Sequence, residues 1–305
     1  MTYREDQRQK ATAMRDAFFR DPGGGHYANL EREFVLEDAT LNLWAGIRDD
    51  ALAYFRDNSI AWHMGGHHAE PTGHLLSSQA ACLNHLYFLR QREDAAAAIL
   101  KNVCGRIERA ERIDDGFVAF EVLGKDNYLN ERSQTRGANA TAVDAAMIGR
   151  KPSGSNILLL IEWKYTEAYG EKDRYIPARY EIYDPLLANE QSPISVEDFS
   201  ALYYEPFHQL MRQTLLGWKM VQHREYNCDE WIHLHVIPEG NAELRERITS
   251  PALRSKAAKM SDAWKSVLKA PDRYMTITPE ALLRPAFDCP DTRSIARYLE
   301  TRYWT

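Results

Sequence analysis

The chain has 305 residues, 44% of them hydrophobic and 27% charged, ordinary proportions for a globular protein and enough for one elaborated α/β domain. Its net charge of −6 argues against a protein that coats nucleic acid through global charge, and leaves room for a local basic groove or an acidic metal-binding site. No apolar run approaches the ~20 residues that cross a bilayer, the charged start MTYREDQRQK is unlike a secretory signal, and the four scattered cysteines form no CxxC pair, so a cytoplasmic protein with reduced thiols is expected.

Residues 5–20 read as a helix, and DPGGGH (21–26) as a turn. Leu41, Leu43, Trp44, Ile47, Leu52 and Phe55 have the spacing of one amphipathic helix over 39–58. A loop rich in Gly and His follows (60–74). The next helix starts at a serine N-cap, Ser77 or Ser78, and 94–112 is helical by propensity. The pattern then changes to strands at 116–124, 140–149 and 157–165, the last two joined by the turn KPSGSN. FHQLMRQTLLGWKMVQHREY (207–226) is a long amphipathic helix, and 230–240 a fourth strand stopped by Pro238 and Gly240. Short helices and loops complete the chain.

This order predicts an α/β fold: a central mixed β-sheet flanked by helices, its first strands antiparallel and the strand after the long helix returning as a crossover beside ILLLI. The expected organisation is an N-terminal helical extension (1–75), a core (76–240) and a C-terminal helical and loop extension (241–305), packed as one unit.

The chemistry concentrates where ILLLIEWKY leaves the core. Side chains alternate along a strand, so Glu162 and Lys164 share the face of Leu158 and Leu160, while Trp163 and Tyr165 face the other way. Asp144, a poor strand residue among Ala142, Val143, Ala145 and Ala146, falls beside Glu162 if the hairpin pairs through KPSGSN. Two converging carboxylates repel unless a cation lies between them, and oxygen ligands suit a hard divalent ion, Mg²⁺ above all. The Trp163 backbone carbonyl is a further ligand candidate. Lys164 would orient water or stabilise charge on a phosphate, a set suited to phosphodiester cleavage. E-x-K alone is uninformative, because a solvated strand end produces it too; the apolar strand before it, the lone aspartate and the short turn give it meaning.

Asp144 with Glu162-Trp163-Lys164 in a strand-turn-strand unit resembles the PD-(D/E)XK nuclease superfamily, the restriction-endonuclease-like fold. PTGHLLSSQAACLNHL, VDAAM, LLIEWKYTEAY and FHQLMRQTLL together resemble a bacterial family of restriction endonucleases within it, and that resemblance extends back to YFRDNSIAWH. It implies Asp144 and Glu162 as Mg²⁺ ligands, with Mn²⁺ able to substitute, Lys164 as the catalytic lysine, and DNA as the substrate. Val143 stands where the superfamily often has proline. Some members carry Q-x-x-x-Y in the following helix; here Gln209 is followed by Gln213.

Gln209, Arg212 and Gln213 share one helical face, and contact substrate phosphate, brace the site or form an ordinary polar face. A third carboxylate is expected from Glu121, which sits among apolar residues, or from Glu131. Ser78 and Gln79, at the start of the first core helix, are an N-cap and a solvated residue, or reach the site. His63, His67, His68 and His74 lack the partner spacing of a zinc site and read as a polar loop near the site mouth; His233 and His235 read as structural. Arg254, Lys256, Lys259, Lys265, Lys269 and Arg273 form the first choice of DNA-contacting segment, with KNVCGRIERAER the second; a solvated helix face is the alternative for both. The expectation is an Mg²⁺-dependent endodeoxyribonuclease; the alternative is an inactive nucleic-acid-binding or interaction protein on the same fold. A homodimer would suit double-strand cutting.

Overall fold

The unbroken apolar run at 157–161 has no solvent-facing side and needs cover on both faces of its sheet. A computed structural model, which describes residues 1–27, 30–63, 70–132, 135–136 and 140–304, supplies that cover as two apolar layers. The helices are α1 (Tyr3–Met14), α2 (Arg48–Asp57), α3 (Ser78–Leu86), α4 (Glu93–Val103), α5 (Pro177–Leu187), α6 (Phe207–Gln222), α7 (Ala242–Glu246), α8 (Met260–Lys265), α9 (Pro279–Leu283) and α10 (Arg293–Arg302). The strands are β1 (His26–Tyr27) and β2 (Leu30–Glu31), a small antiparallel pair, then β3 (Arg109–Glu111), β4 (Ala119–Val122), β5 (Val143–Arg150), β6 (Asn156–Trp163), β7 (Cys228–Val236) and β8 (Tyr274–Ile277).

Among the described residues, β3 to β8 form one six-stranded mixed sheet in the order β3-β5-β6-β7-β8, with β4 also paired to β5. The β5–β6 hairpin is antiparallel from Ala145↔Ile161 to Arg150↔Asn156, as the short turn requires. β7 returns parallel to β6 after α6, the expected crossover. Odd residues of β6 (Ile157, Leu159, Ile161, Trp163) pack with residues of α2, α3, α4 and α10. Leu158 and Leu160 pack on the other side with α5, α6 and α8. This is the mixed α/β sheet with helical cover on both faces that the sequence predicts. The first layer takes Leu36, Leu43 and Phe55 from the N-terminal region and Leu299 from α10, so residues outside 76–240 share its apolar packing.

Three local expectations are corrected. The helix expected over 39–58 is broken: a 3-10 turn spans Ala39–Asn42, and α2 begins only at Arg48. The Trp44 N–H bonds to Asn84 Oδ1 (2.7 Å) on α3, which holds the chain away from a helical path. The helix expected over 94–112 stops at Val103; the backbone then pairs with β5 through Glu108 N–H to Arg150 O (2.8 Å), and β3 buries Ala110 on the sheet. In the C-terminal region, read as helices and loops, Tyr274–Ile277 extends the sheet as β8, parallel to β7. Its register was unreadable locally because its partner lies some forty residues earlier.

Helix α6 passes close to the sheet at Gly217, where a Cβ would run into Leu160 Cδ1 and lie 3.0 Å from Trp231 Cδ1. Leu160 is fully buried and Trp231 nearly so, leaving neither much room to yield. Alanine gains ~1 kcal/mol of helix propensity, whereas overpacking costs ~1–3 kcal/mol. We therefore expect Gly217→Ala to lose about 1 kcal/mol net and Gly217→Val more, measured as a lower urea midpoint at unchanged slope.

Candidate active site

Sheet register brings the acidic residues into one row. β4 pairs with β5 at Phe120↔Ala145 and Val122↔Val143, which sets Glu121 opposite Asp144. Continuing the β5–β6 register one residue beyond Ala145↔Ile161 sets Asp144 opposite Glu162. Glu162 in turn pairs with His235 of β7. Neighbours in such a row are roughly 5 Å apart at Cα. Leu158 and Leu160 lie in the α6 layer, and Trp163 and Tyr165 in the opposite one, so Glu162 and Lys164 face α6 as the strand alternation predicts.

Glu162 and Lys164 are almost fully buried, at 1% and 5% exposure. Lys164 Nζ lies 2.5 Å from Glu162 Oε1. The other carboxylate oxygen accepts a hydrogen bond from Gln213 Nε2, which also donates to Ala142 O at 2.9 Å. Gln209, one turn earlier on α6, accepts from Lys164 Nζ at 2.7 Å. Asp144 Oδ2 accepts the Trp163 N–H at 2.6 Å, bridging the two strand ends. Burial, then the charges of Glu162 and Glu121, push the Asp144 carboxyl well above the usual carboxylate range. Burial works against the Lys164 ammonium, but Glu162 and the acidic groups around it raise its pKa well above the ordinary lysine value.

Glu121 adopts φ +49, a left-handed conformation uncommon outside glycine. Its Oε1 accepts from Gln79 Nε2 at 2.6 Å, so the start of α3 does reach the acidic row. Gln79 Oε1 accepts the His63 N–H at 2.9 Å, and His63 Nε2 stands 3.7 Å from Glu121 Oε1. The hydrogen bond to Glu121 raises the His63 pKa against the opposing effect of burial. A cavity of about 210 Å³ opens here, lined by Gln79, His63, Ser77, His74, Thr166 and Glu167 among others. His63 had signalled only a polar loop, and the backbone twist at Glu121 has no sequence marker.

The remaining candidates are elsewhere. Ser77, not Ser78, caps α3, its hydroxyl accepting the Ala80 N–H, and Ser78 lies half-buried in the first turn. Arg212 turns away from the row and donates to Thr141 Oγ1 at 3.2 Å. Glu131 is tied to the Thr141 N–H (2.7 Å) and Tyr183 Oη (2.6 Å), a bracing role outside the row. His74 accepts the Leu76 N–H at 3.1 Å, and burial holds its pKa down to about 4. His67 and His68 lie outside the described residues. Burial, then the charge of Lys164, lowers His233 to about 3 and His235 well below the usual histidine range, so both are neutral. Arg254 is ion-paired with Glu171, and in the second basic segment Arg106 pairs with Glu230 at 2.8 Å.

Among the described residues, no three His, Cys, Asp or Glu groups converge closely enough to hold a metal ion. The chemistry of the donors nonetheless suits a hard divalent cation: three carboxylates occupy successive strands against one lysine, and the charges of Glu162 and Glu121 add to burial in raising the Asp144 pKa.

A mixed sheet whose antiparallel hairpin ends in an aspartate opposite the glutamate of an E-x-K strand is a restriction-endonuclease-like core. The chain belongs to the family described as "restriction endonuclease associating with ARP", whose profile matches residues 5–304. No curated protein and no solved structure matches the chain. No helix among the described residues is long and apolar enough to cross a membrane.

Because the folded-state pKa of Asp144 lies above its unfolded value, its ionisation favours unfolding. That cost is absent below about pH 4, where the unfolded aspartate is also protonated, and develops as pH rises. Asp144→Asn keeps an acceptor for the Trp163 N–H and removes the charge. We expect its Tm in EDTA to exceed that of the wild type at pH 7 and the difference to vanish towards pH 4, measured by calorimetry.

Proposed function

We propose that the protein is an Mg²⁺-dependent endodeoxyribonuclease that hydrolyses DNA phosphodiester bonds, serving as a restriction-type or defence nuclease. The observation that carries this reading is the register row of Asp144 and Glu162 with Lys164 on the same sheet face. Membership in a restriction endonuclease family supports it.

Asp144, Glu162 and the Trp163 backbone carbonyl would hold Mg²⁺, or Mn²⁺ in its place. Trp163 suits this role because its N–H points to Asp144, and the N–H and C=O of one strand residue face the same neighbouring strand. A divalent ion there supplies a more acidic water and polarises a phosphoryl oxygen. Lys164 contributes the positive charge that meets negative charge developing on the phosphate. Gln209 and Gln213 are positioning residues: one orients the Lys164 ammonium, the other fixes the Glu162 carboxylate. Glu121, held by Gln79, is the third carboxylate available to orient water. The buried setting strengthens each of these electrostatic effects.

The test is incubation of supercoiled plasmid with the protein and Mg²⁺ or Mn²⁺. The expected result is metal-dependent nicking or linearisation, abolished by EDTA and slowed at least about a hundred-fold in Asp144→Ala and in Lys164→Ala. Cleavage that survives both substitutions contradicts the mechanism. Metal-independent DNA binding by the wild type with no cleavage would instead assign an inactive binding protein on this fold.

A further inference from the structure

A second cavity, of about 280 Å³, opens on the same sheet face as the acidic row, between α6, β7 and the segment preceding β8. Its lining includes His233, two residues before His235 on β7, so it begins roughly 7 Å along that strand from the row. Adjacent residues of α6 serve the two places: Gln213 holds Glu162, and Thr214 meets His233, with Oγ1 3.3 Å from Nδ1.

Three features of this cavity go unexplained by packing. His233 is 1% exposed, yet its Nε2 has no hydrogen-bond partner among the described residues. A buried polar atom of this kind is normally satisfied, and an imidazole nitrogen gives or takes a hydrogen bond according to its tautomer. The walls include two indoles, Trp218 and Trp231, and the Arg273 guanidinium lies over the Trp231 ring at 4.1 Å. The rim carries Arg273 and Lys269, neither ion-paired with a carboxylate among the described residues; Lys269 Nζ donates to the Glu190 carbonyl, at 2.8 Å.

We infer that this cavity is a nucleotide-binding site, taking a base between the Trp218 and Trp231–Arg273 walls and its phosphate at Arg273 and Lys269. Bases stack on indoles and on guanidinium planes. His233 Nε2 is enclosed in this structure, and a base edge carrying donors and acceptors satisfies it once the imidazole turns towards the cavity. Thr214 Oγ1 lies 3.3 Å from the opposite nitrogen of that ring, and the tautomer decides which base edge is accepted. The same chemistry has two sources: a free nucleotide, or a nucleotide swung out of a DNA strand. The inference concerns binding in the absence of metal and does not depend on the cleavage chemistry of the acidic row.

The test is calorimetric titration of the full chain, in EDTA, with the four 5′-deoxymononucleotides, the matching nucleosides and inorganic phosphate. The expected result is that at least one mononucleotide binds at least ten-fold more tightly than its nucleoside and than phosphate. Arg273→Ala should weaken it at least ten-fold, and His233→Phe should weaken it and flatten the preference among bases. Arg273 is partly exposed, so its substitution leaves the core intact even where that of His233 does not; circular dichroism checks both. Competition assigns the source: a duplex with one mismatched pair displacing the mononucleotide better than a matched duplex identifies an extruded base, and equal displacement identifies a free nucleotide. No mononucleotide binding, or binding unchanged in both variants, overturns the inference.

Discussion

The buried ion pair of Glu162 and Lys164 is the interaction around which the site is built. Two like charges ~5 Å apart repel by about 3 kcal/mol at an effective dielectric of ~20, and a buried charge with no partner costs more. Glu162 lies beside Asp144, with Glu121 one strand further on; Glu162 and Glu121 are buried and Asp144 is half-buried. Lys164 and Gln213 each take one oxygen of Glu162, and the Trp163 N–H takes one of Asp144. The row is therefore stable enough to fold and still short of positive charge. That combination is what a site for a divalent cation and a phosphate requires, and what a core designed for stability alone would avoid.

The scaffold follows from that constraint. β6 is a rigid apolar beam buried on both faces, so the position of its charged end is fixed by packing rather than by a loop. Helix α6 comes close enough, across Gly217, for Gln209 and Gln213 to reach that end. Gln79 approaches from the opposite helical layer and takes Glu121, whose left-handed backbone turns its carboxylate towards α3. Two layers meet at one strand end, each supplying an amide to a carboxylate. Thr214, next to Gln213 on α6, meets His233 Nδ1, so the helix that holds Glu162 also lines the second cavity.

Much of this was legible because it depends on local periods. Strand alternation placed Glu162 and Lys164 on one face, and a turn as short as KPSGSN left little freedom for the register of Asp144. The spacing of Gln209 and Gln213 put both on one side of α6, and the structure turns both to the site while Arg212 leaves it for Thr141. What escaped depends on contacts distant in sequence. The Asn84 side chain breaks the helix expected over 39–58, β5 captures Arg109–Glu111 as a strand, and β8 finds its partner across an intervening helical stretch. Glu121 and Gln79 were separate candidates whose hydrogen bond no pattern announces, and His63 carried no spacing that tied it to either.

The central claim is that the carboxylate row is completed by a divalent cation. A crystal structure of the protein soaked in Mn²⁺, with anomalous data at the manganese edge, tests this most directly. The account predicts an anomalous peak between the Asp144 and Glu162 carboxylates, with Lys164 Nζ drawn away from Glu162 Oε1. Manganese bound only elsewhere, with the Glu162–Lys164 pair still closed, would contradict it.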